Sequence, residues 1–365
     1  MLKCKVSTKQ FQGALKKLNQ YKIDKDLQSL QGVKLDITDN KVQLMRTDLK
    51  NYITITLDDV KIIKTDSIII NNPKEIEKSF KYMKDTYTEI YVDKDIITIK
   101  NGGKSLKLKG SSSDDFPKLP NGINLTDKYN YNTKTLYNRL KKIDFARCKD
   151  DLRPILTGIC FNKYDMVTLD GYRMAVDTDH NLEVKNNFVI NDGLIQFLLK
   201  TLNKKNEDDL TLATNEEYIQ VEYENISILS KLLEGHFLNY KAILPNSYKE
   251  EFQIKTKIIE DNINFLSTYS KDIKSEVTIM IVENNNLELK VTTEEGIFKT
   301  DTEINENINI KIAFNNKFMR ETLKEVEKDK ILIGYNGFRN PLMIEDNNTK
   351  YMILPIRLSE EEYTA

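Results

Sequence analysis

The chain repeats itself at intervals close to 120 residues, and this periodicity limits its fold more than any other feature. Ser7-Thr8-Lys9-Gln10-Phe11 opens a run with apolar residues at Phe11, Ala14, Leu15 and Leu18. Asn132-Thr133-Lys134-Thr135-Leu136 opens a second, with Leu136, Leu140 and Ile143, and Thr8 to Thr133 is a step of 125. A third run, from Ile258 to Tyr269, carries Ile259, Ile263 and Leu266. Spacings of three and four place these side chains on one face of a helix, and the Ser/Asn-Thr start supplies a capping oxygen.

A second helical set keeps the same rhythm. Asn72-Pro73-Lys74 opens a helix through Lys84, Asn191-Asp192-Gly193 one through Leu202, and Asn315-Asn316 one through Val326. Asn72 to Asp192 is a step of 120 and Asp192 to Asn316 one of 124. Proline is suited to the first turn, where its missing N–H leaves no hydrogen bond unmade. Strand patterns recur too: 40–48, 165–170 and 286–294 alternate apolar and polar and end on acids at 48, 170 and 294. Asp115-Phe116-Pro117 and His236-Phe237-Leu238 lie 121 apart. Strands Ile96–Lys100 and Leu106–Lys109 flank Asn101-Gly102-Gly103, a hairpin signal. The sequence therefore predicts an α+β protein of three similar domains, 1–126, 127–250 and 251–365, joined by polar linkers near 121–130 and 245–253.

Composition narrows the class. With 39% hydrophobic and 30% charged residues over 365 positions, the chain can bury several cores and is not a disordered segment. No apolar run approaches the roughly 18 residues of a membrane span, and the start MLKCKVSTKQF lacks the apolar core of a signal peptide. Cys4, Cys148 and Cys160 are scattered and odd in number, which argues against a disulfide framework or a zinc knuckle. We expect a cytoplasmic, nucleoid-associated protein with reduced thiols and no membrane partner.

Net charge is only −1, so contact with nucleic acid requires positive charge gathered on one face. The six predicted helical stretches, 7–22, 73–84, 132–149, 192–205, 257–274 and 315–330, carry a combined +14, leaving −15 for strands and loops. Lysine outnumbers arginine in them, which suits mobile phosphate contact rather than bidentate base reading. Lysines also commonly occupy the solvated faces of helices, so one such stretch alone carries little weight.

Catalytic patterns do not emerge. Gly103-Lys104-Ser105 resembles the end of a phosphate-binding loop, but Thr98 stands where that loop needs its first glycine. His180 and His236 have no metal-ligand spacing. The adjacent acids Asp114-Asp115 and Asp150-Asp151 offer at most a weak two-metal candidate. No catalytic residue, metal or cofactor is expected.

Four segments resemble landmarks of the bacterial DNA polymerase III beta subunit, the beta sliding clamp of the DNA clamp family. They are Arg153-Pro154-Ile155-Leu156-Thr157-Gly158, Leu169-Asp170-Gly171-Tyr172-Arg173-Met174-Ala175, Phe237 to Pro245, and Met352 to Leu358. The resemblance covers essentially the whole chain. It implies tandem clamp domains, each with two helices backed by antiparallel sheets. Two protomers would close head to tail into a six-domain ring, a homodimer lined by helices. It further implies a processivity factor without catalytic activity, which encircles double-stranded DNA without sequence preference. Polymerase, clamp loader and repair proteins would dock on it through short clamp-binding peptides.

By the same resemblance, the peptide pocket between the second and third domains involves Leu156, then Thr168, Gly171, Tyr172, Arg173 and Met174, then Leu238 and Ile243, and finally Met352, Leu354, Pro355, Ile356 and Arg357. An apolar cleft flanked by Arg173 and Arg357 suits a peptide with a Leu or Phe anchor and polar neighbours. Leu238 departs from a common proline, and Leu354 and Ile356 from frequent methionines. Position-matched candidates for DNA contact are Lys74, Lys149 and Arg153, with Lys22 and Lys25 near the loop that follows the first helix and Lys9, Lys16, Lys78, Lys200 and Lys317 as further helical candidates. Strand Ser105–Lys109 and the helix end at Thr268–Lys271 are expected at the dimer contact. The acidic extension 359–365 lies beyond the usual Arg-Leu end. Two other readings are a phage or mobile-element clamp serving a dedicated polymerase, and a metal-dependent DNA-processing enzyme.

Overall fold

The computed structural model describes residues 1–24, 30–150, 152–202, 207–269, 276–304, 306 and 308–358. Lys25, Asp151, Lys271 and the extension 359–365 lie outside the described residues. Six α-helices are described: α1 (Thr8–Gln20), α2 (Pro73–Ser79), α3 (Thr133–Asp144), α4 (Asp192–Thr201), α5 (Thr256–Ser267) and α6 (Asn316–Leu323). Each lies within or against a stretch that the sequence marks as helical.

Local chemistry explains the starts. Asn132 Oδ1 accepts from Thr135 N at 3.1 Å, Asn191 Oδ1 from Leu194 N at 3.0 Å, and Asn315 Oδ1 from Phe318 N at 3.2 Å. Each bond satisfies one of the orphan donors of a first turn. Asn72 makes no side-chain cap bond, and Pro73 occupies the first turn instead. The apolar stripes face inward as their spacing requires. Phe11, Leu15 and Leu18 of α1, Leu136, Leu140 and Ile143 of α3, and Ile259, Ile263 and Leu266 of α5 are all essentially inaccessible. Burial of each such side chain contributes about 1.5–3 kcal/mol.

The helices are shorter than their sequence signals. α1 ends where Tyr21 turns extended and buries its ring, its hydroxyl donating to Asp48 Oδ2 at 2.5 Å. α2 gives way to a tight turn at Phe80–Tyr82. Within the helices as they form, α1 and α3 carry +3 each, α6 +1, α2 and α4 zero and α5 −1, a net of +6. Part of the expected +14 therefore sits on flanking turns, as at Lys22, Lys84 and Lys149, and part, on Lys204, Lys205, Lys271 and Lys274, lies outside the described residues.

By internal contacts the chain divides into two compact units, Met1–Tyr137 with Ile190–Glu234, and Asn138–Val189 with Gly235–Ala365. The first unit holds two antiparallel sheets. One orders Val60–Ile62, Leu2–Ser7, Tyr87–Asp93, Ile96–Asn101 and Lys104–Lys109. The other has nine strands, in the order Ser111–Ser112, Asp66–Ile70, Val33–Ile37, Val42–Thr47, Asn51–Leu57, Ile226–Lys231, Tyr218–Tyr223, Asp209–Thr214 and Asp127–Asn132. The second unit holds an eight-stranded sheet, ordered Phe188–Ile190, Ile159–Asn162, Asp165–Leu169, Arg173–Thr178, Thr349–Ile353, Leu342–Asp346, Lys330–Tyr335 and Glu250–Lys255. Its other sheet orders Gly296–Glu303, Asn286–Thr293, Val277–Glu283 and Ile310–Asn315. The compact units cut across the expected 127–250 segment because its strands are shared between the two large sheets. One half continues the ladder from Asn51–Leu57, and the other continues into Thr349–Ile353.

Two glycines are required where they stand. Asn101 pairs with Lys104 across Gly102-Gly103, and Gly102 has φ +57°, the left-handed value that such a turn needs. Gly103-Lys104-Ser105 thus belongs to a hairpin. A Cβ on Gly193 would fall 2.7 Å from Asn51 Nδ2 and 2.9 Å from the Tyr21 hydroxyl. Gly193 therefore lets α4 start against a buried network in which Ser230 Oγ donates to Asn51 Oδ1 at 2.6 Å and Asn51 Nδ2 to Asn191 Oδ1 at 3.1 Å.

All three cysteines are free and buried. Burial pushes the Cys4 and Cys160 thiols up to about 12. Since the thiolate is the reactive form, iodoacetamide at pH 8 should leave Cys4 and Cys160 unlabelled in the folded protein and label them once it is unfolded. Peptide mass spectrometry reads the result.

Candidate functional site

Two cationic candidates in the first unit share one cleft. Lys22 and Lys200 line a cleft of about 230 Å³ with Gln20, Tyr21, Asp192, Gly193, Gln196 and Phe197, where α1 ends and α4 begins. Lys200 Nζ donates to Gln20 O at 3.1 Å. Lys74 is exposed on α2, as is Lys78, and Lys9 and Lys16 are exposed on α1. These four make no ion pair among the described residues. Lys17 and Lys134 are engaged, with Glu224 at 2.8 Å and Glu207 at 2.6 Å. In the second unit, Lys149 and Arg153 are exposed on one loop, which Asp150 shapes by accepting from Leu152 N at 2.9 Å. Lys317 is exposed on α6. Lys142 is paired with Glu327 at 2.8 Å.

The expected pocket residues all fall in the second unit, and the eight-stranded sheet sorts them by face. Leu169 lies directly opposite Met174, and Met174 opposite Met352. Directly opposed residues share a face, so these three form a single apolar floor; all are buried. Thr168 lies opposite Ala175, and Arg173 opposite Ile353, which puts both on the other face, against α3. Thr168 is fully buried and donates from Oγ1 to Ile143 O at 2.7 Å. Thr168, named in the expected pocket set, thus lies on the face opposite that floor, and the pleat puts its neighbour Leu169 on the floor instead. The turn carries the signal, since Asp170 N bonds Arg173 O at 3.2 Å and so makes Leu169 and Met174 the first pair of the ladder.

The other proposed pocket residues differ in exposure. Tyr172 is 64% exposed, Leu238 50% and Ile243 38%; Leu354, Pro355 and Ile356 are half-buried and Arg357 is exposed. Leu354 N donates to Tyr172 O at 2.8 Å, and Cys148 N to Leu156 O at 3.0 Å. Leu156 is buried. Ile356 N bonds Ala313 O at 2.7 Å, and its side chain packs beside Leu358 on Ile279 and Ala313 of the four-stranded sheet. The segment carrying Leu238 and Ile243 is fixed by Tyr240, whose buried hydroxyl donates to Asp165 Oδ2 at 2.5 Å. Burial, then this carboxylate, drives the Tyr240 hydroxyl's pKa upward, so it stays a donor.

Arg173, expected to stand at the rim, is only 5% exposed. Its Nε donates to Asp170 Oδ2 at 2.9 Å and its Nη2 to Phe145 O at 2.9 Å, while Nη1 donates to Glu321 Oε2. Its guanidinium lies 4.6 Å from the Phe318 ring centre and 5.1 Å from that of Phe145. Sequence reading did not single out Phe145, Phe318, Glu321 or Leu169. Asp114 and Asp115 lie in a short surface turn, and no group of three or more His, Cys, Asp or Glu side chains among the described residues could hold a metal ion.

Solved structures identify the class of fold. The DNA polymerase III beta subunit of Thermotoga maritima covers 98% of this chain and 100% of its own at a TM-score of 0.89 and 20% identity. That of Pseudomonas aeruginosa does so at 0.91 and 16%. The fold is that of a DNA clamp. Residues 130–239 match the central domain of the DNA polymerase III beta subunit and 241–357 its C-terminal domain, and the chain belongs to that family. It is 27% identical over 350 residues to the beta sliding clamp of Staphylococcus epidermidis, spanning 90% of this chain and 92% of that protein.

Proposed function

We propose that this protein is a DNA sliding clamp, a non-catalytic accessory subunit that encircles duplex DNA and tethers a polymerase to it. The observation that carries the reading is the match of the central and C-terminal family domains on a chain whose whole length takes the clamp fold. Three tandem domains per protomer, 1–126, 127–250 and 251–365, would give a head-to-tail dimer its six. Exposed lysines on α1, α2, α4 and α6, with Lys22, Lys149 and Arg153 on adjoining turns and loops, would supply diffuse phosphate contact. A polymerase, loader or repair protein would dock through a peptide whose apolar anchor lies over Leu169, Met174 and Met352. No helix among the described residues is long and apolar enough to cross a membrane.

Two open sheet edges support a dimer. Lys104–Lys109 is an edge strand with Lys104, Lys107 and Lys109 exposed. Gly296–Glu303 is an edge strand carrying Asp301 and Glu303, beside the aromatic group of Phe265, Tyr269 and Phe298. The first edge is basic and the second on balance acidic, its Lys299 being paired with Glu288 and Asp301, and unpaired edges leave backbone donors and acceptors open to a second copy. Light scattering behind gel filtration should give a mass near twice the 42.5 kDa chain. A monomer at every concentration would contradict the dimer.

A further inference from the structure

We infer that Arg173 is the positioning residue of the peptide pocket: it holds the Gly171–Tyr172 rim against α6 and the end of α3 without touching the bound peptide. The inference rests on the pocket reading above. Its basis is that every nitrogen of the guanidinium already donates to a neighbouring group. Asp170, Glu321 and the Phe145 carbonyl accept from its three nitrogens, and the Phe318 and Phe145 rings lie 4.6 and 5.1 Å from it. Phe318 in turn stacks on Tyr172, with ring centres 6.1 Å apart and planes 29° apart. Tyr172 O accepts from Leu354 N, so the other rim segment is tied to the same assembly. Asp170 Oδ1 accepts from both Tyr172 N and Arg173 N, at 2.9 and 3.0 Å, fixing the turn from within. A planar cation with donors in three directions can join these elements; the point charge of a lysine cannot.

The electrostatics agree. With carboxylates on two sides, Arg173 presents no uncompensated charge to a ligand. Cationic recognition of the peptide then falls to the exposed Arg357. Arg173 would act by preorganising the rim, lowering the ordering that binding requires.

The test uses the full chain and a short fluorescein-labelled synthetic peptide with adjacent Leu and Phe anchors, read by anisotropy over a salt series. Loss of charge-assisted bonds should weaken binding by Arg173→Lys by about 10- to 100-fold with the salt slope unchanged. Adding Glu321→Gln to Arg173→Lys should cost little more, because contacting groups are not additive. Arg357→Gln should flatten the salt slope. Phe318→Leu, which removes the platform without touching charge, should weaken binding in the same direction, and it carries the test if Arg173→Lys does not fold. In the free protein, amide exchange at Tyr172, Arg173 and Leu354 should speed up in Arg173→Lys. Wild-type affinity in Arg173→Lys, or a loss that flattens the salt slope and adds independently to Glu321→Gln, overturns the inference. If the wild-type chain itself binds no peptide, the pocket reading fails. The exchange measurement then still decides whether Arg173 holds the rim, and unchanged exchange would reject that role.

Discussion

Replacing Arg139 by methionine should destabilise the second unit by about 3–5 kcal/mol, because it leaves a buried carboxylate without its partner. Arg139 Nε donates to Asp177 Oδ2 at 2.6 Å, and the two side chains are 5% and 7% exposed. Arg139 Nη2 also donates to Tyr164 O at 2.9 Å and Asp177 O at 2.7 Å, while Thr349 Oγ1 donates to Asp177 Oδ1 at 2.7 Å. One guanidinium thus joins α3 to the strand Arg173–Thr178 and to the turn at Tyr164. Scanning calorimetry should show the midpoint of this unit lowered by about 10 °C. Adding Asp177→Asn should recover much of the loss, since the buried charge is then gone while Thr349 keeps an acceptor. A midpoint for Arg139→Met within about 2 °C of wild type would show that the pair does not hold α3 in place.

The largest functional effect is expected from Ile243→Asp combined with Leu354→Asp. Both positions belong to the proposed pocket and neither is deeply buried, Ile243 being 38% exposed and Leu354 half-buried. The fold should tolerate the change to within about 0.5 kcal/mol per site, as at ordinary surface positions. A docking peptide would instead have to strip water from two carboxylates, and binding should fall by about 100-fold or more. Removing the C-terminal segment is a less clean test. Ile356 hydrogen-bonds Ala313 and packs with Leu358 on the four-stranded sheet, so a truncation removes structure as well as pocket. Wild-type peptide affinity in the double variant would place the docking site elsewhere.

Much of this architecture is legible in the chain. Helix starts are written in Asn132, Asn191 and Asn315, whose side chains cap the helices that follow, and in the stripe Ile259, Ile263, Leu266 that α5 buries. Helix ends are less legible, because tertiary packing decides them: α1 stops where Tyr21 finds Asp48, a partner 27 residues away. That loss of length accounts for part of the difference between the expected and the observed helical charge. Which face of the sheet each proposed pocket residue lies on is less legible. Thr168 and Leu169 are neighbours whose side chains point to opposite faces, and only the turn at Asp170–Arg173 says which one faces the floor. Arg173 was legible as a residue near the site, but its commitments to Phe145 and Glu321 join positions 28 and 148 residues away, which no local pattern reveals.

The central claim is topological, and retention on DNA without free ends tests it most directly. The protein is loaded with its host's clamp loader and ATP onto a singly nicked circular duplex, then passed through gel filtration at high salt. Salt suppresses phosphate contact but not encirclement. The protein should stay with the circle and be lost when one cut makes the DNA linear. Equal loss from circular and linear DNA as salt rises would contradict the sliding clamp and mean that the chain binds duplex DNA from its surface.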